Sequence, residues 1–274
     1  MTILVTGATG TVGGHIVNQL NEKGIKVRAL SRSKKKSKLP AEVQVVSGDL
    51  DKPETLQSHF KNVNSLFLIT QSEQSDAKYL ANKRIVQMAK EAGVKKIVAI
   101  MDFEGNAIEE VIKNSGLEWT ILRPVEFMKN VLFDWAESIQ KEGIIRTAFP
   151  ESLSVRIHEA DIATVGVKAL TEEGHHEQIY DLTGPEALSP RSLIKQISEV
   201  IDKPIELIEI TEEQVMKDWK SKGYDEGFIN YFIIGMGKNP PKQVYTVLPT
   251  IERVTGKPAR TFAQWVKENK HYFE

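Results

Sequence analysis

Apolar and polar positions follow two alternating rhythms over the first half of the chain. Short runs rich in β-branched residues are typical of buried strands, and stretches with apolar residues three and four positions apart are typical of helices. Val12, Ile16 and Leu20, for example, share one face of the first predicted helix. This alternation predicts an α/β protein with a doubly wound parallel sheet. Six strands are predicted, at residues 3–6, 26–30, 43–50, 65–70, 95–100 and 118–124.

The rhythm changes after Pro124, where aromatic residues and methionine become frequent. An amphipathic stretch at 161–170 and an apolar run at 178–184 then return to the earlier pattern. We therefore predict a smaller α/β lobe that is discontinuous in sequence. The predicted larger domain comprises residues 1–123 and 155–184, and the predicted smaller lobe comprises residues 124–154 and 185–274.

Three glycines follow the first strand at a regular spacing: Gly7, Gly10 and Gly13. In a dinucleotide-binding turn, such glycines allow a tight turn, close approach of the backbone to a pyrophosphate, and close packing of the helix on the strand. The helix N-terminus then directs N–H groups and a partial positive charge at the phosphates. A glycine triplet between a strand and an amphipathic helix therefore predicts a Rossmann fold that binds NAD(P). Thr9, Thr11 and Val12 would also line the turn.

The end of the second strand indicates which coenzyme is preferred. An enzyme that prefers NAD usually carries Asp or Glu here, because a carboxylate accepts a hydrogen bond from the ribose 2′-hydroxyl. This chain carries Ser31 and Arg32, and a guanidinium can bind a 2′-phosphate through two hydrogen bonds. We therefore predict a preference for NADP(H), with NAD(H) still possible. We interpret the lysines at 34–36 as solvated charges.

The ends of the following strands supply further candidate cofactor contacts, because ligands of doubly wound sheets bind at the carboxyl ends of the strands. Asp49 either contacts the adenine amino group or caps the following turn, and the sequence does not choose between these roles. The further candidates are Leu50, Thr70, Gln71 and Met101.

Several segments at this spacing resemble the NmrA-like group of atypical short-chain dehydrogenases/reductases. That group includes NADPH-dependent quinone and dye reductases as well as redox-sensing regulators. The resemblance therefore implies the fold and the cofactor, whereas the reaction differs among members. The segments are VTGATGTVGG at 5–14, RALSRS at 28–33, GDL at 48–50, EEVIKNSGLEWTILRP at 109–124, EADIATVGVKAL at 159–170 and YDLTGPEALS at 180–189.

The proton donor of classical short-chain dehydrogenases is absent from its usual place. Those enzymes protonate the alkoxide with a Tyr whose pKa is lowered by a Lys four residues later. The one such pair in this chain, Tyr79 and Lys83, precedes the fifth strand instead of following it, so we interpret it as a chance match. Asn106 stands near the position where many NmrA-like reductases carry a Lys or His. We therefore assign no catalytic residue.

Three functions stay open on these residues. In the first, an oxidoreductase passes hydride from NADPH to a quinone-like or other small conjugated acceptor, which requires positioning rather than a strong acid. In the second, a non-catalytic regulator binds NADP(H) and reports the cofactor state to a partner protein. In the third, the protein is similar to a nucleoside-diphosphate-sugar epimerase or dehydratase.

Candidate substrate contacts follow the fifth and sixth strands and recur in a later aromatic stretch, so we expect the smaller lobe to hold the substrate. For each aromatic residue, packing in the core of that lobe is the alternative. We interpret His158 as a surface or turn residue, and His175 and His176 are too closely spaced for a helical metal pair. The substrate candidates are Asp102, Phe127, Asn130, Tyr231 and Phe232.

Composition narrows the remaining possibilities. The 274 residues carry 36 basic and 37 acidic side chains, a net charge of −1, which provides no electrostatic footprint for nucleic acid or an anionic membrane. The absence of cysteine excludes disulfides and zinc–thiolate sites. We predict a small-molecule acceptor as partner, without a metal, nucleic acid or membrane. No apolar run matches a signal peptide or membrane span, so we expect a cytoplasmic protein. The oligomeric state stays open.

Overall fold

The structure is a computed structural model that describes residues 1–32, 39–70, 76–101 and 107–274, except for the side chains of Asp76 and Phe232. The described chain divides into two compact units. Residues 250–257, which the sequence pattern assigns to the smaller lobe, are grouped with the first unit. The first unit comprises Met1–Pro124, Glu159–Leu182 and Thr250–Lys257, and the second comprises Val125–His158, Thr183–Pro249 and Pro258–Glu274.

Strands and helices alternate through the first unit, as the apolar pattern predicts. The strands of the described chain are β1 (Thr2–Val5), β2 (Lys26–Ser31), β3 (Gln44–Ser47), β4 (Ser65–Ile69), β5 (Lys96–Ile100), β6 (Glu118–Pro124), β7 (Ile144–Thr147), β8 (Ser154–Val155), β9 (Gln178–Leu182), β10 (Ala187–Leu188) and β11 (Glu206–Glu209). The α-helices are α1 (Thr11–Glu22), α2 (Asp76–Glu91), α3 (Ala107–Lys113), α4 (Glu137–Glu142), α5 (Glu159–Thr171), α6 (Pro190–Ile201), α7 (Glu212–Ser221), α8 (Glu226–Phe228), α9 (Met236–Lys238), α10 (Thr250–Thr255) and α11 (Phe262–Glu268).

Tighter and wider helical turns complete the described chain. Three segments are 3₁₀-helical: Pro53–Phe60, Lys242–Tyr245 and Lys270–Tyr272. Two segments of the second unit, Leu132–Ala136 and Ile229–Gly235, are π-helical.

The sheet of the first unit has the strand order β3-β2-β1-β4-β5-β6-β9. Every neighbouring pair is parallel. The predicted doubly wound α/β fold is therefore confirmed. The direction in which the strands are added reverses between β1 and β4, and this reversal opens a crevice at the carboxyl ends of those strands.

Helices cover the sheet with the faces that their apolar spacing predicts. Val12, Ile16 and Leu20 of α1 are buried, and α1 packs along α5. Gly166 of α5 faces the sheet, where a Cβ would make an ordinary contact of 3.6 Å with the ring of Phe67 on β4. Residues of α2 and α3 pack with sheet residues in a separate buried cluster.

The second unit has its own apolar core. Residues of α6 and α11 pack together there, and Trp265 is 2% exposed. Two short sheets support this core: β7 pairs in parallel with β11, and β8 pairs antiparallel with β10. The second unit thus combines helices and strands, as expected for an α/β lobe.

Candidate functional site

The turn that leaves β1 is built from backbone geometry that only glycine accommodates easily. Gly7 has a φ of +57°, in the left-handed region, which favours glycine because other residues have a Cβ. A Cβ at Gly7 would also collide with the side chain of Ile69. The N–H of Gly10 donates to the carbonyl of Gly7 at 2.8 Å and closes the turn.

Gly13 allows α1 to begin unusually close to this turn. A Cβ on Gly13 would lie only 2.7 Å from the carbonyl carbon of Gly7 and closer still to its oxygen. A Cβ on Gly10 would lie 3.1 Å from the same oxygen. Gly7 and Gly13 therefore have the turn and packing roles that the sequence spacing predicts, and the approach of a pyrophosphate to Gly10 stays a prediction.

The N-terminus of α1 is suited to an anionic group. Its N-cap is Gly10, whose backbone is extended and which provides no capping side chain. The first turn of the helix contains no acidic residue, and Thr9 and Gly10 are exposed. Backbone N–H groups and the helix dipole favour a phosphate at such an end. Val12 is 3% exposed, so its side chain belongs to the core.

Thr6 is a structural residue of the turn that the sequence reasoning missed. It is fully buried, and its N–H donates to the carbonyl of Phe67 at 3.0 Å. Its hydroxyl accepts from the N–H of Ile69 at 2.8 Å. These bonds tie the end of β1 to β4 beside the glycine turn. The sequence pattern that could have indicated this role is a polar residue, Thr6, between an apolar run and the first glycine.

The end of β2 carries the predicted determinants of coenzyme preference. The carbonyl of Ser31 accepts from the N–H of Gly48 at 3.1 Å, and Arg32 is exposed directly after the strand. Neither position bears a carboxylate that would repel a 2′-phosphate. The lysines at 34–36 lie outside the described residues. The role of Arg32 stays a prediction.

Asp49 caps a turn in the structure. One of its carboxylate oxygens accepts from the N–H of Asp51 at 3.1 Å, a pattern typical of Asp in turns. The backbone N–H of Asp49 donates to the hydroxyl of Thr55 at 3.0 Å. Leu50 is half-buried and packs against the hydrophobic core cluster that includes residues of α2 and α3. Contact of either residue with adenine stays a prediction.

The carboxyl ends of β4 and β5 are joined by Thr70. Its hydroxyl donates to the carbonyl of Ile100 at 2.9 Å, and its N–H donates to the same oxygen at 3.3 Å. Met101 is 1% exposed and its side chain packs in the core, and contact of Met101 with the coenzyme stays a prediction. Two further candidates, Gln71 and Asp102, lie outside the described residues, as does Asn106.

The pair Tyr79 and Lys83 lies on α2, before β5, as the strand assignment predicts. The helix that follows β5, α3, carries a buried ion-pair network instead. The carboxylate of Glu109 is 3% exposed and lies 2.6 Å from Nζ of Lys113 and 2.6 Å from Nη2 of Arg123. The sequence reasoning missed this network.

Glu109 is a carboxylate at neutral pH. Burial alone would raise its pKa, but hydrogen bonds and ion pairs with Lys113 and Arg123 outweigh burial and hold the pKa below its ordinary value of 4.5. Glu109 therefore does not supply the proton that a classical short-chain dehydrogenase takes from Tyr. Its position instead links α3 to the carboxyl end of β6.

The second unit places the remaining substrate candidates in different environments. Phe127 is half-buried and forms a parallel bridge with Ile157. The N–H of Asn130 donates to the carbonyl of Phe127 at 3.1 Å, and the residue is half-buried. Tyr231 is 57% exposed. The side chain of Phe232 lies outside the described part of the chain. Substrate contact of these residues stays a prediction.

His158 lies outside any helix or strand, directly before α5, but the expectation that it could be on the surface is wrong. It is 2% exposed, and its Nε2 lies 3.1 Å from Oε2 of Glu268. The partner comes from α11, more than a hundred positions later, so local sequence could not reveal it.

The adjacent histidines at the edge of the sheet have structural contacts. Nδ1 of His175 lies 2.8 Å from the hydroxyl of Tyr180, and Nδ1 of His176 accepts from the N–H of Trp119 at 3.2 Å. Burial lowers the pKa of His175. No group of three candidate metal ligands occurs among the described residues. None of the described helices combines the length and apolarity needed to cross a bilayer.

Comparisons with known proteins decide the family. The model of the NmrA-like family matches residues 1–99. The NAD(P)H azoreductase of Xenophilus azovorans is 32% identical to this chain, with 99% of each chain covered. The chain belongs to the NmrA-like family. This membership confirms the resemblance seen in the sequence motifs.

Two further comparisons also cover nearly the whole of this NmrA-like chain. The (4-alkanoyl-5-oxo-2,5-dihydrofuran-3-yl)methyl phosphate reductase of Streptomyces griseus is 30% identical, with 99% of each chain covered. The solved structure of a Citrobacter sp. triphenylmethane reductase matches with a TM-score of 0.81 at 24% identity and covers 98% of this chain and 99% of that chain. At this identity the structural match establishes the fold alone.

Proposed function

We propose that this protein is an NADPH-dependent oxidoreductase that passes hydride to a quinone-like or other small conjugated acceptor. The observation that supports the proposal is the glycine turn before α1, where Gly10 provides no capping side chain and the first helical turn has no acidic residue, so that a diphosphate would be favoured there. The 32% identity to an azoreductase over 99% of the chain supports a redox role. A reductase of this kind draws on intracellular NADPH, so we place it in the cytoplasm.

Different residues of the first unit would bind different parts of the coenzyme. Gly10, Thr11 and Gly13 would hold the diphosphate at the N-terminus of α1. Ser31 and Arg32 would bind the 2′-phosphate at the end of β2, because a guanidinium donates two parallel hydrogen bonds to phosphate. When bound, the coenzyme supplies the hydride.

A conjugated acceptor fits a chain that lacks the classical acid. Glu109 on α3 is held as a carboxylate by two cations, so it cannot protonate an alkoxide. An acceptor that delocalises the negative charge needs no strong internal acid, because water can protonate the product. The protein then has to hold the acceptor at hydride-transfer distance, which is a positioning task.

Oxidation of NADPH across a panel of acceptors tests the proposal. The panel contains menadione, benzoquinone, an azo dye and a triphenylmethane dye, and the blank is Gly10→Asp, which places a carboxylate where the diphosphate binds. We expect wild type to oxidise NADPH with at least one acceptor and the blank to show no activity.

Two other results would point to a different function. Tight NADP(H) binding without turnover of any acceptor would indicate a regulator. Binding of a sugar nucleotide together with a permanently retained NAD would indicate an epimerase-like protein.

A further inference from the structure

Two adjacent histidines, His175 and His176, lie where the last strand of the large sheet begins. That strand, β9, is the edge strand of the described sheet and pairs in parallel with β6. Directly before β9 begins, a side chain takes the place of a backbone carbonyl, because Nδ1 of His176 accepts from the N–H of Trp119 at 3.2 Å. The N–H of Glu177 donates to the carbonyl of Trp119 at 2.9 Å. Both polar backbone groups of Trp119 are therefore bonded to the residues that lead into β9.

The bond to Trp119 determines which nitrogen of His176 carries hydrogen. A backbone N–H only donates, so Nδ1 accepts and the hydrogen of the neutral ring is on Nε2. Nε2 lies 3.5 Å from Oε1 of Glu177, whose negative charge attracts a protonated ring. A protonated imidazole carries hydrogen on both nitrogens and cannot accept. Protonation of His176 therefore breaks its bond to Trp119.

The backbone of Glu177 is strained at the same place. Its φ is +58°, in the left-handed region that is uncommon for a residue with a Cβ. Such a conformation costs free energy and persists where surrounding contacts hold it. The contacts with β6 are the bond from Trp119 to His176 and the bond from Glu177 to Trp119. Loss of the first leaves the strained turn held to Trp119 by the second alone.

His175 connects the same segment to β6 and to β9 itself. Its carbonyl accepts from the hydroxyl of Thr120 on β6 at 2.6 Å. Its Nδ1 lies 2.8 Å from the hydroxyl of Tyr180 on β9. Thr120 and Tyr180 are buried, and His175 is half-buried. A charge on the ring of His175 would therefore lie in a site with little solvent, which disfavours the charged form.

Charged groups from several elements surround the two rings. Burial lowers the pKa of His175; Glu172 raises it, and Lys96 of β5 and Lys168 of α5 lower it further. Because the pKa is lowered in the folded protein, the stability that neutral His175 contributes is present above the ordinary pKa of 6.5 and is lost as pH falls below it. The other charged groups near these rings or their partners are Lys113, Glu118 and Arg253.

We propose that His175 and His176 form an acid-sensitive switch that keeps the start of β9 bonded to β6 at neutral pH and loosens it in weak acid. Protonation of His176 removes the acceptor for the N–H of Trp119, and protonation of His175 adds a charge to a half-buried ring. Histidine is the side chain that ordinarily changes its charge between about pH 5 and pH 8. The switch lies at the amino ends of parallel strands, opposite to the carboxyl ends where ligands bind, so it is independent of the proposed function.

Thermal unfolding at two pH values tests the switch with His176→Asn. The amide oxygen of asparagine can lie close to the position of Nδ1, and it accepts a hydrogen bond at either pH. Between about pH 7.5 and pH 5.5, the midpoint of wild type should fall by about 2–4 °C more than that of His176→Asn, the shift that one lost hydrogen bond typically causes. All other titrating side chains are shared by the two proteins, so the difference reports His176.

His59 provides the matched control. Its Nε2 lies 2.9 Å from the carbonyl of Ser47. A carbonyl only accepts, so this nitrogen donates, and a protonated ring keeps the bond. His59→Gln retains a donor and removes a titrating ring, so its midpoint should depend on pH as that of wild type does. Equal effects of His59→Gln and His176→Asn would attribute the pH dependence to the number of histidines and would overturn the proposal.

Two measurements on wild type keep the proposal testable if His176→Asn does not fold. Nitrogen NMR of the His176 ring should show hydrogen on Nε2 at neutral pH. Hydrogen exchange, corrected for the direct effect of pH, should show that protection of the Trp119 amide falls by about fivefold between about pH 7.5 and pH 5.5. Hydrogen on Nδ1 at neutral pH, or unchanged protection of the Trp119 amide, would overturn the inference.

Discussion

The nucleotide turn of the first unit and the aromatic residues of the second unit are built on opposite principles. In the turn, backbone groups are the contacts that we propose for the diphosphate, and packing is so close that a Cβ on Gly13 would overlap the carbonyl of Gly7. In the second unit, side chains such as Phe133, 83% exposed, face solvent. Substitutions at constrained positions should therefore damage the fold and coenzyme binding together. Substitutions at exposed positions should change ligand preference and leave the fold intact.

Glu109 is expected to show the largest effect among the constrained positions. Glu109→Ala removes the buried carboxylate from beside Arg123, whose side chain is 10% exposed. Breaking a buried ion pair by removing one partner typically costs about 3–5 kcal/mol, because the remaining charge loses its compensation. The free energy of unfolding, measured by chemical denaturation at neutral pH, should fall by about this amount.

The neighbouring Glu110 provides a matched control. Its side chain is 67% exposed and lies 3.7 Å from Nζ of the same Lys113, so Glu110→Ala should change stability by less than about 0.5 kcal/mol.

The pKa of Glu109 is lowered in the folded protein, so the stability that Glu109 contributes is present above the ordinary pKa of 4.5 and is lost as pH falls through the folded pKa. The deficit of Glu109→Ala should therefore be constant across neutral pH. Equal effects of both variants would contradict a special role for the buried network.

The first unit was largely predictable because its determinants are local. Gly7 is favoured by its own positive φ, and Gly10 and Gly13 lie close to the carbonyl of Gly7, so the spacing of the three glycines predicts the turn. The parallel, doubly wound sheet likewise follows from the alternation of strands and helices. Asp49 was ambiguous because the same carboxylate suits a turn and an adenine amino group, and the structure shows only the turn contact.

The features that the sequence did not reveal depend on distant partners or on backbone detail. Glu109 meets Arg123 only because α3 packs beside β6, and His158 is buried against Glu268, which is 110 positions away. The π-helical turns arise from a shift in backbone hydrogen bonding, which residue type does not encode. The exposure of Phe133 therefore could not be separated from core packing until the fold was known.

Gly13→Ala should have the next largest effect and should disturb stability and coenzyme binding together. The added Cβ meets the carbonyl of Gly7, and overpacking of this kind costs about 1–3 kcal/mol. Because the shift would displace the amides that we propose bind the diphosphate, calorimetry should show loss of NADPH binding. Thermal unfolding should show a lower midpoint.

Gly14→Ala is the matched control for this substitution. A Cβ there would lie 3.8 Å from the carbonyl oxygen of Ala8, an ordinary contact. The change replaces glycine within α1 and should stabilise the helix by up to about 1 kcal/mol. NADPH affinity like that of wild type in Gly13→Ala would show that close packing of α1 on the turn is dispensable for the coenzyme.

Arg32→Asp should have the smallest effect on the fold, because Arg32 is exposed although it belongs to the first unit. It therefore tests whether an exposed position in that unit changes coenzyme preference without changing stability. A carboxylate here repels a 2′-phosphate and accepts from a 2′-hydroxyl, so the ratio of kcat/KM for NADPH to that for NADH should fall by about tenfold or more, equivalent to about 1.4 kcal/mol. The midpoint of thermal unfolding should not change. Arg84→Asp makes the same change at an exposed position on α2 and should leave the ratio unaltered. An unchanged ratio in Arg32→Asp would mean that other residues bind the phosphate and that Arg32 is a solvated surface charge.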